Sequence, residues 1–552
     1  MSVFIGYPSF MAYQMMKGKK DNNDGFPSIP GMIARYSALG LTNEQMAANP
    51  VWADKTGNGH DLQMKNFLWG GMSGVGGYTQ NFNQWFVGFD ESNKTVSDSS
   101  MKLVLLESDS QKVIYDKTAH QIGYTYNFYI KVTGIEGRTL NVNAGTLGGT
   151  IMSITEDGIY SINATVSDSW GNNMLYLIFP PSSSSNTVTI DQLPLYPGAL
   201  VFDGVDDYGV CDNFPILTKE KGYTVVALRS IIDKNIPGYL LSNSAGSNQG
   251  AFIFERTIDS LTASFGKSSP ITVNYNNPLT YQTTSKYNQK SISVGELLEG
   301  GKSLVVGRNS KEGNLYANAA IWELVFLDHD ATEEELTKIK DYFVKTYPWL
   351  FPDQAWTVVG KTNEDEDRAT IANITGNGND LVLSNFGFAE GSGYNEEGEY
   401  AGYLVTDGVD DRVVSSSFTL NKNWTIVGNW KMLQPEANKL SGIVKQNSLF
   451  IYNSVDGLNI SINDAWNFFK LKDIRSVNAI CSDGRIYLND WTEIIDSKQQ
   501  TVNESVGTLV IGILGNVYTS LAFKNLSFYN NQNLSKDDCI KAYNYLQTLK
   551  AK

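Results

Sequence analysis

Residues 54–67, DKTGNGHDLQMKNF, return later in the chain as residues 373–386, NITGNGNDLVLSNF, with eight of the fourteen positions identical. Three further blocks recur in the same order in both copies. They pair residues 200–207 with 404–411, residues 304–307 with 509–512, and residues 323–326 with 525–528. Four ordered blocks of this kind predict an internal duplication in which each copy is one structural unit.

The spacing of the blocks locates an insertion in the first copy. The first pair is offset by 319 residues (373 minus 54) and the second by 204 (404 minus 200), a difference of 115. This difference predicts an inserted domain over residues 79–194. The first unit is then discontinuous, over residues 29–78 and 195–351, and the second covers residues 352–552. Residues 1–28 fit neither unit and are predicted to be an arm that anchors the chain, or else a strand that closes the first unit.

Composition and local patterns predict strands in every part of the chain. The 552 residues include 50 Gly, 29 Tyr and 11 Trp; aromatic residues suit pleated sheets, and glycines suit tight turns. Thr332 with Glu335, and Ser535 with Asp538, are helix start signals near the end of each copy. The predicted fold is all-β, with two tandem antiparallel β-sandwiches, each followed by a short C-terminal helix, and an inserted small β-sandwich.

Charge and cysteine content disfavour several classes of function. The net charge of −15 disfavours nucleic acid as a partner, because phosphates require clustered Lys and Arg. Cys211, Cys481 and Cys539 form neither a disulfide framework nor a zinc motif, and they indicate folding in a reducing cytoplasm. No run of about 18 apolar residues is present, so no membrane span is predicted. The N-terminus lacks the pattern of a signal peptide.

Several motifs resemble a known family. Residues 202–208, FDGVDDY, followed by 223–226, YTVV, resemble the opening strands of laminin G-like domains of the concanavalin A-like lectin and glucanase superfamily. The TGNGxDL loops and the terminal strand-and-helix blocks resemble the same family, so the resemblance covers both copies. The runs 190–208 and 50–59 are similar to proteins of crAss-like phages of gut Bacteroidota, in which such domains form virion appendages.

This resemblance implies a phage virion protein, such as a tail fibre, head fibre, adhesin or decoration subunit, that mediates attachment and is not an enzyme. The implied partners are other virion proteins and host capsular polysaccharide, and phage fibres imply a homotrimer. The implied location is the virion, after synthesis in the host cytoplasm and release by lysis. Two alternatives stay open: a glycan-depolymerising enzyme of the same superfamily, and a bacterial surface glycan-binding protein.

Two acidic motifs are candidate metal ligands: Asp203, Asp206 and Asp207 in the first copy, and Asp407, Asp410 and Asp411 in the second. The resemblance implies calcium, which requires about six to eight oxygen ligands. The alternative is a tight turn in which Gly204 and Gly408 supply a positive φ and the aspartates cap backbone amides. Asp54 is a further candidate ligand, but Asn373 replaces it in the second copy. No cofactor is expected, and calcium is the one candidate.

Catalytic signatures are weak, and no catalytic residue is assigned. Nothing in the sequence places any of the three histidines, His60, His120 and His329, beside a nucleophile and an orienting acid. Glucanases of the superfamily carry a Glu-x-Asp-x-Glu strand. The nearest acidic run here has Glu364 and Glu366 but Arg368 in the third place, and it is predicted to be a solvated loop.

Aromatic side chains are the candidate sugar platforms, because flat rings offer large apolar contact surfaces. Four tryptophans lie near glycine- or asparagine-rich stretches: Trp69, Trp85, Trp170 and Trp466. The alternative for each is packing in a core or between domains.

Overall fold

The computed structural model describes residues 24–551 apart from short internal segments. The segments outside the description are 146–148, 168, 171, 216, 218–221, 244–251, 259, 266–270, 273–275, 293–302, 397–399, 434–440, 447–448, 455–456, 463–464, 470–476, 489–490, 496–504, 512, 515–516 and 519. The chain forms two compact units. One is the described chain up to Leu68 with Gly198–Tyr347, and the other is Trp69–Pro197 with the described chain from Pro348 onward.

The strands of the described chain are numbered in sequence order. The first four are β1 (Met32–Ser37), β2 (Val51–Trp52), β3 (Leu62–Lys65) and β4 (Gly74–Val75). The next ten are β5 (Trp85–Val87), β6 (Lys94–Val96), β7 (Ser100–Leu105), β8 (Lys112–Asp116), β9 (Thr125–Thr133), β10 (Leu140–Ala144), β11 (Thr150–Ile154), β12 (Gly158–Thr165), β13 (Leu175–Phe179) and β14 (Asn186–Gln192).

Twelve strands follow up to the end of the first copy. They are β15 (Leu200–Asp203), β16 (Tyr208–Cys211), β17 (Thr224–Ile231), β18 (Gly238–Ser242), β19 (Phe252–Ile258), β20 (Ser260–Phe265), β21 (Ile271–Thr272), β22 (Leu279–Thr283), β23 (Lys286–Tyr287), β24 (Lys290–Ser291), β25 (Leu304–Val306) and β26 (Asn318–Leu327).

The remaining strands belong to the second copy. They are β27 (Gln354–Thr357), β28 (Thr370–Ile371), β29 (Leu381–Ser384), β30 (Gly393–Asn395), β31 (Tyr403–Asp407), β32 (Arg412–Leu420), β33 (Trp424–Met432), β34 (Ser441–Gln446), β35 (Leu449–Ser454), β36 (Gly457–Ile462), β37 (Ala465–Phe469), β38 (Val477–Cys481), β39 (Arg485–Leu488), β40 (Glu493–Ile495), β41 (Ser505–Ile511), β42 (Ile513–Leu514), β43 (Val517–Tyr518) and β44 (Ser520–Asn530).

The first unit contains one sandwich of two antiparallel sheets. The first sheet has the order β24-β23-β22-β17-β26-β15, with β1 also paired to β26, and the second has the order β2-β3-β16-β25-β18-β19-β20-β21. Aromatic residues of the two sheets meet between them, since the ring centroids of Tyr36 on β1 and Trp52 on β2 lie 5.7 Å apart. Burial of these apolar faces against each other is the main stabilising contribution of a sandwich.

The inserted sandwich belongs to the second compact unit. Its sheets have the orders β11-β10-β13-β8-β5 and β12-β9-β14-β7-β6. Alternate residues of both sheets form one core, which includes Trp85 and Ile114 from the first sheet and Phe128 and Ile190 from the second. Period-two alternation places these residues on the inner faces, because successive side chains of a strand point to opposite sides.

The second copy forms a sandwich of its own within the same unit. One sheet has the order β30-β31-β44-β33-β38-β39-β40, with β27 paired to β44, and the other has the order β28-β29-β32-β41-β34-β35-β36-β37. Trp356 on β27 packs against Phe418 on β32, which belongs to the other sheet, with 6.3 Å between ring centroids. The core therefore joins both sheets, as in the first copy.

Three α-helices complete the described chain: α1 (Asn43–Ala48), α2 (Glu333–Thr346) and α3 (Lys536–Thr548). Helix α2 begins with a capping box, in which Thr332 accepts from the Glu335 amide and Glu335 accepts from the Thr332 amide. Helix α3 begins with Ser535, whose side chain accepts from the Asp538 amide. These caps satisfy amides that the first helical turn leaves without partners.

Helix α3 also contacts the inserted sandwich. The rings of Tyr129 on β9 and Tyr543 on α3 meet edge-on, with centroids 5.7 Å apart and planes at 83°. The Asn544 side-chain amide donates to the Pro194 carbonyl at 3.4 Å. The inserted segment, although it interrupts the first copy in sequence, therefore packs with the last helix of the second copy.

The predicted fold class is confirmed, because packed antiparallel sheets make up each of the three sandwiches. The predicted boundaries at residues 28, 78, 194 and 351 stay predictions. Residues 1–23 of the predicted arm lie outside the described chain; the described Phe26 packs on Tyr342 of α2 at 4.8 Å between ring centroids. In the described part of the chain, no helix has both the length and the apolarity to cross a membrane.

Candidate functional site

The two acidic motifs form the same tight turn in both copies. In the first, the Asp203 amide donates to Asp207 Oδ2 at 3.1 Å, and Asp203 Oδ1 accepts from the Val205 amide at 2.7 Å. Gly204 has φ +79°, which favours glycine at this position. The corresponding bonds of the second copy, from Asp407 to Asp411 and from Val409 to Asp407, measure 2.8 and 2.7 Å.

A calcium site at these turns would have to be built from the carboxylate oxygens of the aspartates. The ligand oxygens of each acidic trio lie within 4.8 Å of one another, but backbone amides already occupy carboxylate oxygens of Asp203 and Asp207. Calcium requires about six to eight oxygens. The described residues fit a capped turn and do not complete such a shell. Calcium binding therefore stays a prediction that the contacts of these aspartates do not support.

The TGNG loops are structural in the same way. Asp54 is buried and accepts from the Arg35 amide at 3.1 Å and from Thr56 Oγ1 at 2.8 Å. In the second copy, Asn373 Oδ1 accepts from the Thr375 amide at 3.0 Å and from Thr375 Oγ1 at 2.8 Å. The loop thus needs an acceptor at this position and not a charge, which explains the exchange of Asp for Asn.

The three histidines are held by acids or rings. His60 meets Phe214 at 5.5 Å between ring centroids. His120 contacts Asp116 at 2.8 Å and stacks on Tyr124 at 3.7 Å. His329 lies 3.1 Å from Asp328 and 3.2 Å from Glu335. Among the described residues, none of the three rings hydrogen-bonds to a serine, threonine or cysteine side chain.

The acidic run at Glu364 and Glu366 lies in turns and not on a strand, and both side chains are exposed. The guanidinium of Arg368 lies 5.1 Å from the centroid of the Phe388 ring. The described structure therefore provides no strand on which these acids share one face.

The tryptophans that were candidate platforms, with packing as the alternative, lie in different surroundings. Trp85 is buried in the inserted core and packs on Phe82 at 5.3 Å between ring centroids. Trp170 lies parallel to Tyr126 at 6.2 Å, and Trp69 is half-buried. The platform interpretation is therefore wrong for Trp85, because strand alternation points it inward. The side chain of Trp466 lies outside the described residues.

A row of three aromatic rings, here called the aromatic row, lies on the outer face of the inserted sandwich. It consists of Phe86 on β5, Tyr115 on β8 and Tyr176 on β13, which are cross-strand neighbours. Ring centroids are 4.8 Å apart between Phe86 and Tyr115, and 5.4 Å apart between Tyr115 and Tyr176. Phe86 is 41% exposed. Sequence reasoning missed this row, although Phe86 adjoins the inward Trp85 and therefore points outward.

A cleft of about 780 Å³ opens on the second sheet of the first sandwich. It is here called the Arg308 cleft, and it is lined by Gly59, Asp61, Gln63, Lys65, Tyr208, Val210, Asp212, Asn213, Arg308, Lys311 and Glu312. Strand β3 alternates, with Leu62 and Met64 buried and Gln63 and Lys65 exposed. Tyr208 stands directly opposite Lys65 on the neighbouring strand. The cleft is therefore built from the outward side chains of paired strands.

Charged groups of both signs surround this cleft. The Arg308 Cζ atom lies 3.5 Å from the centroid of the Tyr208 ring. Lys311 Nζ lies 2.8 Å from Asp212 Oδ1, and this hydrogen bond holds the pKa of Asp212 below its usual range. Sequence reasoning missed the cleft because its residues come from three distant segments, and although Gly59, Asp61 and Tyr208 lie in the TGNGxDL and FDGVDDY motifs, no motif includes Arg308.

The second copy replaces most polar side chains of this cleft, although Asp380 stands at the position of Asp61. In register, Arg412 opposite Ser384 corresponds to Tyr208 opposite Lys65. The offset of the repeated block at 304–307 places Ile513 at the position of Arg308. The turns are thus shared by both copies, while Lys65, Tyr208 and Arg308 have no like residue at the matching positions of the second.

Comparison with known proteins gives no family. No family model matches the chain, and no curated protein matches it. Among solved structures, it is similar to a Trypanosoma rangeli sialidase in complex with sialic acid, at 10% identity and TM-score 0.27 over 85% of this chain and 97% of the sialidase. It is also similar to the receptor-binding domain of botulinum neurotoxin type G, at 11% identity and TM-score 0.21 over 36% of this chain and 51% of that domain.

A third structure, described as a receptor-binding domain, is similar at 12% identity and TM-score 0.23 over 59% of this chain and 88% of that one. At such TM-scores the similarities assign neither a site nor an activity. The presence of sialidases among them nevertheless corrects the expectation that this chain is not an enzyme. That expectation rested on missing motifs, whereas catalytic groups often converge from segments far apart in sequence. The expectation that the chain has no catalytic activity is therefore withdrawn.

Proposed function

We propose that this chain is a carbohydrate-binding attachment protein, and that the aromatic row binds the glycan. The observation that carries this proposal is the alignment of Phe86, Tyr115 and Tyr176 on the outer face of one sheet. Phe86 and Tyr115 stack at an angle of 28° between ring planes. Phe86 is 41% exposed and Tyr115 is half-buried, so these two rings present an apolar surface on which a sugar ring can stack, while Tyr176, only 7% exposed, packs beside them.

Exposure of the Phe86 ring leaves it available to a ligand. Phe86 lies outside the inserted core and stays 41% exposed, so its ring contributes little to the folding of that sandwich. Aromatic side chains bind with little loss of conformational entropy because they have only two rotatable bonds. A polar edge is present too, since the Asn172 side-chain amide donates to the Tyr176 hydroxyl at 2.9 Å. Apolar faces with a few placed polar groups are typical of ligand sites.

The sequence resemblance supports the biological setting of this proposal. It favours a subunit of a phage tail fibre, head fibre or decoration structure that contacts other virion proteins, with host capsular polysaccharide as the ligand. The subunit would be made in the host cytoplasm, released by lysis and assembled as a homotrimer. Sedimentation equilibrium of the full chain tests the trimer, and electron microscopy of the particle tests its place in the virion.

Binding is tested with the full chain and purified capsular polysaccharides of Bacteroidota, with laminarin as a neutral reference, by affinity electrophoresis. Phe86→Ala and Tyr115→Ala should each weaken retention by about 2- to 10-fold, since an aromatic stacking contact contributes about 0.5–1.5 kcal/mol. The matched control is Val382→Ala, which removes an apolar side chain that is 52% exposed on a strand of the other copy.

Three outcomes decide the proposal. Retention that both ring substitutions weaken, and that the control leaves unchanged, supports it. Retention that neither ring substitution alters rejects the aromatic row as the site. Shortening of the polysaccharide during incubation, measured by size-exclusion chromatography, would replace attachment by depolymerisation as the function.

A further inference from the structure

The Arg308 cleft contains a buried guanidinium that differs from the two other buried arginines of the same sandwich. Arg35 is 3% exposed and forms two hydrogen bonds with the Glu323 carboxylate, at 3.1 and 3.2 Å. Arg229 is fully buried and forms two with Glu255, at 2.6 and 2.9 Å. Arg308 is 6% exposed, yet no carboxylate of the described residues contacts it.

The partners of Arg308 leave part of its donor set unused. Its Nη2 donates to the Lys311 carbonyl, and the ring of Tyr208 covers one face of the guanidinium. Its Nε is buried and has no hydrogen-bond partner. A buried donor without an acceptor carries the full cost of its desolvation, and a buried charge without a counter-charge is costlier still. An acceptor with negative charge would satisfy both this donor and the charge of the guanidinium.

The rest of the cleft limits what that acceptor belongs to. Lys65 adds a second cationic side chain, while Gln63 and Asn213 offer amides that both donate and accept. Asp61 and Glu312 line the same cleft and would repel a ligand with several carboxylates. The described residues therefore match a ligand with one carboxylate among several hydroxyl groups.

We propose that the Arg308 cleft binds an acidic sugar, whose single carboxylate pairs with the guanidinium of Arg308 and whose hydroxyl groups bind the surrounding amides and acids. A guanidinium matches a carboxylate with two parallel hydrogen bonds. The cleft volume of about 780 Å³ falls within the range of about 300–1,000 Å³ typical of small-molecule sites. This second site extends the proposed function and does not depend on the aromatic row.

The two copies supply an internal comparison. The position of Tyr208 holds Arg412 in the second copy, that of Lys65 holds Ser384, and that of Arg308 holds Ile513. The second copy has therefore kept the turns, and Asp380 at the position of Asp61, without these three cleft side chains. We expect acidic sugars to bind once per chain, on the first sandwich.

The test uses isothermal titration calorimetry of the full chain with three free acidic sugars: glucuronic acid, galacturonic acid and N-acetylneuraminic acid. Their methyl esters are the matched probes, because they keep the ring and lose the charge. Arg308→Gln should weaken binding by roughly 10- to 100-fold, since a hydrogen bond to a charged group contributes about 1.5–3 kcal/mol. Arg308→Lys keeps the charge but loses the geometry of two parallel hydrogen bonds. Its affinity for the acids should lie between those of the unaltered chain and Arg308→Gln.

Two further variants separate binding from folding. Lys65→Glu changes an exposed side chain of the cleft. It should weaken the binding of the acids and leave the binding of their methyl esters unchanged. This variant replaces Arg308→Gln in the test if Arg308→Gln does not fold. Arg412→Gln removes an exposed arginine at the corresponding place of the second copy and should bind as the unaltered chain does. Circular dichroism checks the fold of each variant.

Binding of at least one acid at one site per chain, weakened by Arg308→Gln or Lys65→Glu, supports the inference. Binding of none of the three acids overturns it, as does equal binding of the methyl esters. A glutamate pentapeptide that binds in place of the sugars would overturn the assignment to carbohydrate. If Phe86→Ala loses polysaccharide retention but still binds the acids, the inference about the cleft stands. The two sites are therefore tested independently.

Discussion

The buried ion pair between Arg229 on β17 and Glu255 on β19 joins the two sheets of the first sandwich. Both side chains are fully buried, and Glu255 also accepts from the Tyr287 hydroxyl at 2.5 Å. Arg229 donates in addition to the Asn277 carbonyl at 2.8 Å. The Arg229 guanidinium and the Glu255 carboxylate thus compensate each other's charge. Removal of either partner leaves the remaining group buried without a counter-charge.

Glu255→Gln keeps the shape of the side chain and removes its charge. Breaking a buried pair from one side costs about 3–5 kcal/mol, and the two hydrogen bonds at 2.6 and 2.9 Å place this pair among the well-formed ones. We expect local unfolding of β17 and β19 to become easier by that amount. This equals a roughly 10²- to 10⁴-fold loss of protection from hydrogen exchange, at 1.36 kcal/mol per tenfold.

Hydrogen exchange read by mass spectrometry is suited to this chain, because it reports on peptides of one sandwich at a time. Peptides of β33 and β44 in the second copy provide the internal reference. Glu364→Gln, a substitution of an exposed acid, should leave both sandwiches unchanged. Replacing both partners, as Arg229→Met with Glu255→Leu, should cost less than the sum of the single substitutions, because contacting residues couple by about 0.5–3 kcal/mol.

This prediction is refuted if the hydrogen-exchange protection of β17 and β19 in Glu255→Gln stays within a factor of about ten of that in the unaltered chain, which corresponds to 1.36 kcal/mol. It is refuted as well if the double replacement costs the full sum of the two single ones. Either result would mean that the pair contributes little beyond its packing.

Three further predictions concern the first copy. The pKa of His329 is raised because its contacts with Asp328 and Glu335 outweigh the effect of burial; its stabilisation is present below its unfolded pKa of about 6.5 and is lost as pH rises through the folded value, so His329→Gln should lower the melting temperature at pH 5.5 more than at pH 8.5. Thr332→Ala should destabilise α2 by about 1 kcal/mol, seen as faster hydrogen exchange in α2 and not in α3. Burial raises the pKa of the Cys211 thiol to about 11, so a thiol reagent at pH 8 should label it in urea and only slowly in the native chain.

The repeated blocks predicted the sandwiches because they contain residues that form turns and inner strand faces. The DGVDD turns and the TGNG loops are short-range structures, and their glycines and capping side chains act within a few residues. Such features can be predicted from one sequence. The helix caps at Thr332 and Ser535 were predictable for the same reason.

The aromatic row and the Arg308 cleft were not predictable, because each is formed by strand pairing across long separations. Arg308 reaches Tyr208 only because β25 pairs with β16. The aromatic row needs the register of three strands before Phe86, Tyr115 and Tyr176 become neighbours. Tryptophan content misled the choice of platforms, since in β5 the inward residue is Trp85 and the outward one is Phe86.

The contact between α3 and the inserted sandwich affects how the chain can be synthesised and divided. Asn544 and Pro194 lie 350 positions apart in sequence, so this contact forms only after the segment up to Asn544 has left the ribosome. Until then the edge of the insert around Tyr129 has to remain stable without its partner helix. A cut at the repeat boundary near residue 351 would separate Tyr129 from Tyr543. A fragment that is to keep this contact therefore has to contain the insert as well as the second copy, and its bounds differ from those of the sequence repeats.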